Sequence, residues 1–140
     1  MVNEILQADK DKAGFLAALE SIRLARYMPF KEFKEKIASL NTSSETLRSD
    51  RFKAGFNYIV TGIYAIEFPT GHGQVKIGFE SAGKFKILES ATVANAEDSV
   101  SWTGEIILNE GEYVRVDFEG ATAADTIQIL YTGYQVRTGV

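Results

Sequence analysis

The residue types that enzymes use for acid–base or metal chemistry are scarce in this chain. His72 is the only histidine, and there is no cysteine. The chain therefore offers no pair of histidines or thiolates for a zinc site, and no thiolate nucleophile. His72 stands between two glycines in a segment typical of an exposed turn, where a surface histidine is more common than a catalytic one.

Carboxylates are plentiful, but their spacing favours solvated acids over catalysis. A glycosidase needs two carboxyl groups about 5–10 Å apart across a cleft, whereas the acids here cluster at a turn, at strand ends and in loops. Calcium binding through acidic loops stays open as an alternative, although the D-x-[DN]-x-[DN]-G pattern of a calcium loop is absent. The paired acids are Glu97 with Asp98, Glu110 with Glu112, and Asp117 with Glu119.

Two further signatures of enzymes are missing from the sequence. No serine lies in a G-x-S-x-G nucleophile elbow. Gly71-His72-Gly73 lacks the third glycine and the following helix of a phosphate-binding loop. We therefore predict a protein that is not an enzyme, with no catalytic residue, no cofactor and no metal.

The composition is that of an ordinary soluble globular protein, with 45% hydrophobic and 24% charged residues in a chain of 140. No apolar run approaches the ~20 residues of a membrane-spanning helix, and the first residues do not form a secretory signal. The absence of cysteine suits folding in a reducing cytoplasm. The net charge of -4 divides into +2 over residues 1–56 and -6 over residues 57–140, which does not favour nucleic acid as a partner.

Two amphipathic helices are predicted before residue 50. The first covers residues 8–27, where Phe15, Leu19 and Ile22 follow each other at spacings of four and three. The second covers residues 29–40 and begins at a proline, which suits the first turn of a helix. Its apolar seam must be buried, either against the protein's own β domain or against a partner chain. The seam consists of Phe30, Phe33, Ile37 and Leu40.

From Arg51 onwards the hydrophobic period changes to two, which predicts β-strands. Gly62 is expected to mark a bulge, and Thr132-Gly133 a short hairpin connection. A short helical turn through Leu47 is expected just before this region. The predicted strands cover residues 51–61, 63–68, 74–80, 84–90, 100–108, 112–119, 126–131 and 134–138.

About eight short strands without intervening helices are typical of a sandwich, a jelly roll or a barrel. We predict a mainly β fold, an antiparallel β-sandwich or jelly roll of about eight strands with an N-terminal α-helical arm. The arm covers residues 1–50 and the β domain covers residues 51–140. The expected core consists of Phe79, Phe85, Ile87, Trp102, Ile106, Val114, Val116, Phe118, Ile127 and Ile129.

Aromatic side chains of the β domain could form a sugar-stacking patch. The competing interpretation is more common, because tyrosines on the strands of β-sandwiches are usually half-buried with their hydroxyls at the rim. The candidates are Tyr58, Tyr64, Trp102, Tyr113, Tyr131 and Tyr134.

A cysteine-free β domain with a helical leader and no catalytic motif resembles the cement, or decoration, proteins of tailed-bacteriophage capsids. The resemblance covers mainly residues 58–136. It rests on the strand pattern, on the turn and strand LNEGEYVRV of residues 108–116, and on the small-residue loop GATAAD of residues 120–125. It implies a jelly-roll-like, non-enzymatic protein that binds the outer surface of a capsid and bridges neighbouring major capsid subunits.

The same resemblance implies a place on the exterior of the virion, after synthesis in the host cytoplasm. The implied partners are the major capsid protein and further copies of the chain, in a dimer or trimer, with neither nucleic acid nor a membrane. A carbohydrate- or receptor-binding β-sandwich module stays open as the alternative function. The candidate partner-binding residues are Phe30, Phe33, Ile37, Leu40, Arg51 and Lys53.

Overall fold

The computed structural model of the chain describes residues 14–16, 27–39, 44–70, 73–95 and 98–138. Eight β-strands lie within these ranges, and residues 14–16 form a short helical segment. The strands are β1 (Tyr27–Ile37), β2 (Ser44–Arg48), β3 (Phe56–Phe68), β4 (Gly73–Ser81), β5 (Lys84–Val93), β6 (Val100–Leu108), β7 (Tyr113–Glu119) and β8 (Thr126–Arg137).

The eight strands form two four-stranded antiparallel sheets. Sheet A has the order β1-β8-β3-β6, and sheet B has the order β2-β7-β4-β5. The first strand pairs with the last, the second with the seventh, the third with the sixth and the fourth with the fifth. This is the pairing of one long hairpin that has been folded over on itself. The predicted mainly β fold with about eight antiparallel strands is confirmed.

The core is built from alternate residues of both sheets. Side chains of the two sheets belong to a single buried cluster, as period-two alternation requires when each sheet has one covered face. The largest fully buried side chains are Phe118, Ile63, Ile77, Leu108, Ile127, Ile129, Val60, Val114 and Val116.

Most of the predicted core residues are confirmed, and two are wrong. Five are buried, and Phe79, Trp102 and Ile106 are partly buried against the cluster. Ile87 is instead half-exposed, and the ring of Phe85 lies 4.4 Å beneath the guanidinium of Arg115. The reason is a register shift in the pairing of β4 with β5, which upsets the alternation that a sequence pattern assumes.

The helix predicted over residues 29–40 is wrong, because residues 27–37 form β1. All 11 residues of this strand pair with β8. The spacings of three, four and three are helical in sequence, but pairing with a neighbouring strand overrides such a local preference. Successive side chains of a strand point to opposite sides, so Phe30 and Phe33 lie on different faces of sheet A.

Phe30 is part of an aromatic cluster inside the protein. Its ring centroid lies 6.0 Å from that of Tyr58 and 6.3 Å from that of Tyr131, both in edge-on geometry, and 6.4 Å from that of Phe52. Phe52 and Tyr58 are stacked at 4.3 Å. Such aromatic contacts add stability beyond the burial of their surface, so β1 is held to the core as well as to β8.

The helical turn predicted through Leu47 is also wrong, since Leu47 is a buried residue of β2. β1 and β2 are edge strands of sheets A and B, so a helical arm can include only residues before Tyr27. The helix predicted over residues 8–27 lies outside the described residues, except for the helical residues 14–16 and for Tyr27, which begins β1.

The two predictions about glycines in sheet A had opposite outcomes. The bulge at Gly62 is confirmed, because the register of β3 shifts between Val60 and Gly62. The connection predicted at Thr132-Gly133 is wrong, because β8 runs through it without a break. A Cβ on Gly133 would collide with the carbonyl oxygen of Ile59, so this glycine permits close approach of two strands and does not end one.

A buried carboxylate joins the ends of the two edge strands. Glu45 of β2 is only 5% exposed. Its side chain lies 2.6 Å from the ammonium of Lys36 in β1 and accepts a hydrogen bond of 2.7 Å from the backbone N–H of Ser39. The bond from Lys36, and then that from Ser39, hold the pKa of Glu45 below its ordinary value of 4.5.

Replacing Phe30 and Phe33 separately tests the strand assignment. We expect Phe30→Ala to lower the free energy of unfolding by about 3 kcal/mol, because a ring packed on the core is lost. Phe33→Ala should change the free energy of unfolding of the single chain by less than about 0.5 kcal/mol, because this ring is on the outer face. Urea denaturation of both variants measures the difference. Equal losses would indicate a shared helical seam and contradict the strand.

Glu45→Gln tests the contact between the edge strands. Since the folded pKa of Glu45 is lowered, its ionised form stabilises the fold above the unfolded value of about 4.5, and this contribution is lost as the pH falls through the folded pKa. We expect the variant to unfold at lower urea than the parent at pH 7, and the two midpoints to converge toward pH 3. Midpoints that differ equally at both pH values would contradict this role.

Candidate functional site

The outer face of sheet A carries rows of apolar and aromatic side chains. The register sets Phe33 of β1 opposite Leu130 of β8, and Leu130 opposite Tyr64 of β3. Residues in register point to the same side of a sheet, so these three form one row across the face. A second row, nearer the other end of the strands, consists of Tyr134, Ile59 and Ile107.

The two central strands of sheet A contribute no charge to this face. β3 and β8 have 13 and 12 residues, and only Glu67 and Arg137 among them are charged. Glu67 is 8% exposed, lies on the inner face and accepts a hydrogen bond from the N–H of Thr122. Arg137 ends its strand, where its guanidinium lies over the ring of Phe56. The outer face is therefore neutral between its two edge strands.

A shallow groove of about 250 Å³ runs over β8 on this face. Phe33 and Tyr64 stand on its two sides, and they are 51% and 39% exposed. Large aromatic and aliphatic side chains exposed together are typical of interaction surfaces. The groove is lined by Phe33, Tyr64, Ile66, Ser99, Gln128 and Leu130. We name the outer face of sheet A around these residues the apolar face.

The outer face of sheet B has the opposite character. Arg115 contacts Asp117 at 2.9 Å and Glu80 at 3.3 Å, and Glu80 also pairs with Arg48 at 3.5 Å. A hydrogen bond from Tyr113, followed by the two arginines, lowers the pKa of Glu80. Asp117 in turn raises the pKa of Arg115. These charges therefore pair with each other on the face itself, within β7 and between β7 and β4.

A cleft of about 420 Å³ opens beside the connection between β2 and β3. Its floor includes the aromatic cluster, and its rim carries Arg51, Lys53 and Glu32. Burial, followed by the charges of Glu32 and Asp50, raises the pKa of Tyr131 to about 12. The phenol is therefore neutral at physiological pH.

The structure separates the six predicted partner-binding residues. Phe30 packs in the core, whereas Phe33 and Ile37 lie on the outer side of β1. Arg51 and Lys53 are exposed in the connection after β2, at the rim of the cleft. Leu40 lies outside the described residues. The predicted helical seam therefore does not form, because alternation along β1 puts Phe30 and Phe33 on different faces. A partner-binding role for the six residues stays a prediction.

The acidic pairs are also divided among different roles. Asp117 and Glu119 lie in ion pairs with Arg115 and Lys76. The side chain of Glu112 accepts a hydrogen bond from the N–H of Asn109 and stabilises the turn before β7. His72 and Glu97 lie outside the described residues. Within the described ranges, no cluster of three or more acidic or histidine side chains could hold a metal ion.

The predicted aromatic patch is not one surface. Tyr58 and Tyr131 are buried, and Trp102 packs against the core. Tyr113 lies among the charges of sheet B, beneath Arg48 at 5.8 Å. Only Tyr64 and Tyr134 share the apolar face, where both are exposed.

Sequence reasoning missed most of the apolar face, although a signal for it exists. The run YIVTGIYAI of residues 58–66 is apolar at almost every position. A strand with one solvent-exposed face alternates between apolar and polar residues, whereas a strand buried on both faces is almost continuously apolar. The missed residues are Ile59, Ile66, Ile107 and Leu130, whereas Tyr64 and Tyr134 are among the aromatic candidates named from the sequence.

None of the helical residues in the described part of the chain belongs to a helix long and apolar enough to cross a membrane. No protein-family model matches the chain, and no curated protein matches it.

Two solved structures resemble this fold at low sequence identity. One, of Bacillus endospore appendages described as disulfide-linked pili, has 14% identity and a TM-score of 0.47, covering 81% of this chain and 90% of that chain. The other, dimeric latent PorU from Porphyromonas gingivalis, has 11% identity and a TM-score of 0.37, covering 80% of this chain and 13% of that chain. The likeness is one of β architecture, and neither structure is described as a capsid protein.

Proposed function

We propose that this chain is a non-enzymatic structural protein that cements neighbouring subunits on the outer surface of a viral capsid. The observation that carries the proposal is the apolar face, which is neutral across two central strands and exposes Phe33 and Tyr64. Protein interfaces have cores depleted of charge and enriched in aromatic residues. The apolar face is therefore the surface through which the protein would join its assembly.

The proposed fold is a jelly roll. Its support is the pairing of β1 with β8, β2 with β7, β3 with β6 and β4 with β5, which is how an eight-stranded hairpin rolls into two sheets. Such a fold exposes two flat faces and two ends. In this chain one face pairs its own charges and the other presents apolar groups, which suits a subunit attached by one side.

Attachment to a repeated shell does not require a large interface for each copy. Many copies that contact each other and a lattice convert weak individual contacts into durable binding. The charged outer face of sheet B would then remain in solvent. Its ion pairs between Arg115, Glu80 and Asp117 keep that surface hydrophilic.

Co-sedimentation with empty shells tests the proposal. The shells would be assembled from the major capsid protein encoded nearest to the gene of this chain. We expect the protein to saturate them at a fixed ratio of copies. Phe33→Glu with Tyr64→Glu should weaken binding at least about a hundredfold, because charges would enter an apolar interface.

Ile87→Glu is the matched control, since Ile87 is as exposed as Phe33 but lies on sheet B. Urea denaturation of each variant verifies that it is folded. Failure of the parent protein to pellet with the shells, or equal loss of binding in the control, would contradict the proposed role.

The alternative function is that of a carbohydrate- or receptor-binding module. Tyr64 and Tyr134 favour it, because both rings are exposed on one neutral face and a sugar ring can stack on such a surface. In that case the isolated protein should bind a glycan array, and Tyr134→Ala should abolish the signal. Binding to shells without binding to any glycan would reject this alternative.

A further inference from the structure

We propose that the apolar face binds the segment of residues 8–26 from a second copy of this chain. This inference rests on the proposed function only in taking the apolar face as an assembly surface, and it names the occupant of that surface. Exchange of these segments would link copies of the protein directly, before or during attachment to a larger shell.

Two apolar side chains of the segment are exposed in the single chain. Residues 14–16 are helical, and Phe15 and Leu16 are 63% and 54% exposed. The sequence continues this apolar side with Leu19 and Ile22, at helical spacing from Phe15. A helix of this kind requires a surface to pack on, because most of the stability of a short helix comes from such packing.

The dimensions of the groove fit such a helix. Phe33 and Tyr64 stand on the strands on either side of β8, so their backbones are two strand spacings apart, about 10 Å. An α-helix with its side chains has a diameter of about 10 Å. Residues 8–26 would form a helix of about 28 Å, and the 12 residues of β8 extend over about 40 Å.

The charges of the segment and of the apolar face are compatible. The central strands under the groove carry no outward charge, so the apolar side of the helix would meet no unpaired ion. Glu20 lies away from Phe15, Leu19 and Ile22 on the predicted helix, whereas Arg23 and Arg26 follow Leu19 and Ile22 by four residues each and would border the apolar side at its C-terminal end. At the edge of the apolar face, Lys31 and Glu35 of β1 are placed to pair with charged side chains of the bound helix.

A second copy is the occupant because the single chain leaves both surfaces exposed. Phe15 and Leu16 are uncovered in the same chain whose Phe33 and Tyr64 are uncovered. The segment leads directly into Tyr27, the first residue of edge strand β1. It therefore leaves the protein at the margin of the apolar face, where it can reach the equivalent face of a neighbour.

Cross-linking of the full-length chain tests the exchange directly. The chain has no cysteine, so an introduced pair reports a single contact. We expect Leu16→Cys on one copy and Tyr64→Cys on another to form a disulfide-linked dimer under mild oxidation. Leu16→Cys with Ile87→Cys is the control and should form little. Equal yields in both mixtures would overturn the proposal.

A double variant with Leu16→Cys and Tyr64→Cys in one chain distinguishes exchange from docking within a copy. Under exchange, it should give linked dimers or longer chains of copies. A cross-linked monomer as the main product, at protein concentrations where the parent is oligomeric, would show that the segment folds back on its own sheet and would overturn the proposal.

Complementation between two variants gives a second, independent measurement. Phe15→Asp with Leu16→Asp damages the segment, and Phe33→Glu with Tyr64→Glu damages the apolar face. Light scattering after gel filtration should show an oligomer for the parent, and association at least about a hundredfold weaker for each variant alone. Their equimolar mixture should regain a dimer, since one copy supplies an intact segment and the other an intact face. Absence of this mixed dimer would overturn the proposal.

The outcomes of this test and of the shell-binding test are separable. A protein that saturates shells but gives neither the cross-link nor the mixed dimer keeps the cementing role and overturns the exchange. A protein that forms the mixed dimer and the cross-link but never binds shells keeps the exchange and overturns the cementing role.

Discussion

The pairing of β8 between β1 and β3 is the constraint on which the rest of the structure depends. This last strand pairs with the first strand on one side and with the third on the other, almost from end to end. Ile127, Ile129 and Tyr131 point inward from it to the core, while Leu130 points outward into the groove. A shift of one residue in this register would exchange the two sets and destroy core and apolar face together.

The outer faces of sheets A and B differ in the kind of side chain that they present to solvent. On sheet B, charges of opposite sign sit on neighbouring strands and neutralise each other, as Arg115 does with Glu80. The side chains of this pair are largely buried, with 21% of Arg115 and 13% of Glu80 exposed, so pairing compensates charges whose hydration is reduced. On sheet A no such pairs cross β3 and β8, so water meets apolar side chains there, which is unfavourable.

The β class and the number of strands could be predicted from the sequence, because alternation from β4 to β7 is clear. The count of eight agrees in part through compensating errors, since the sequence pattern predicts helical structure where β1 and β2 lie and divides β3 and β8 each in two. Phe30 and Phe33 show why the first error arose. Apolar residues three and four apart fit one side of a helix, and only the partner strand decides between that pattern and two faces of a strand.

The candidate site was harder to predict than the fold, for a physical reason. A core residue and an outward apolar residue are chemically alike, and their difference appears only when the register with neighbouring strands is known. Leu130 follows Ile129 in the sequence, yet one completes the core and the other forms the floor of the groove. The near-continuous apolar run of β3 is the one local sign that this strand has apolar side chains on both of its faces.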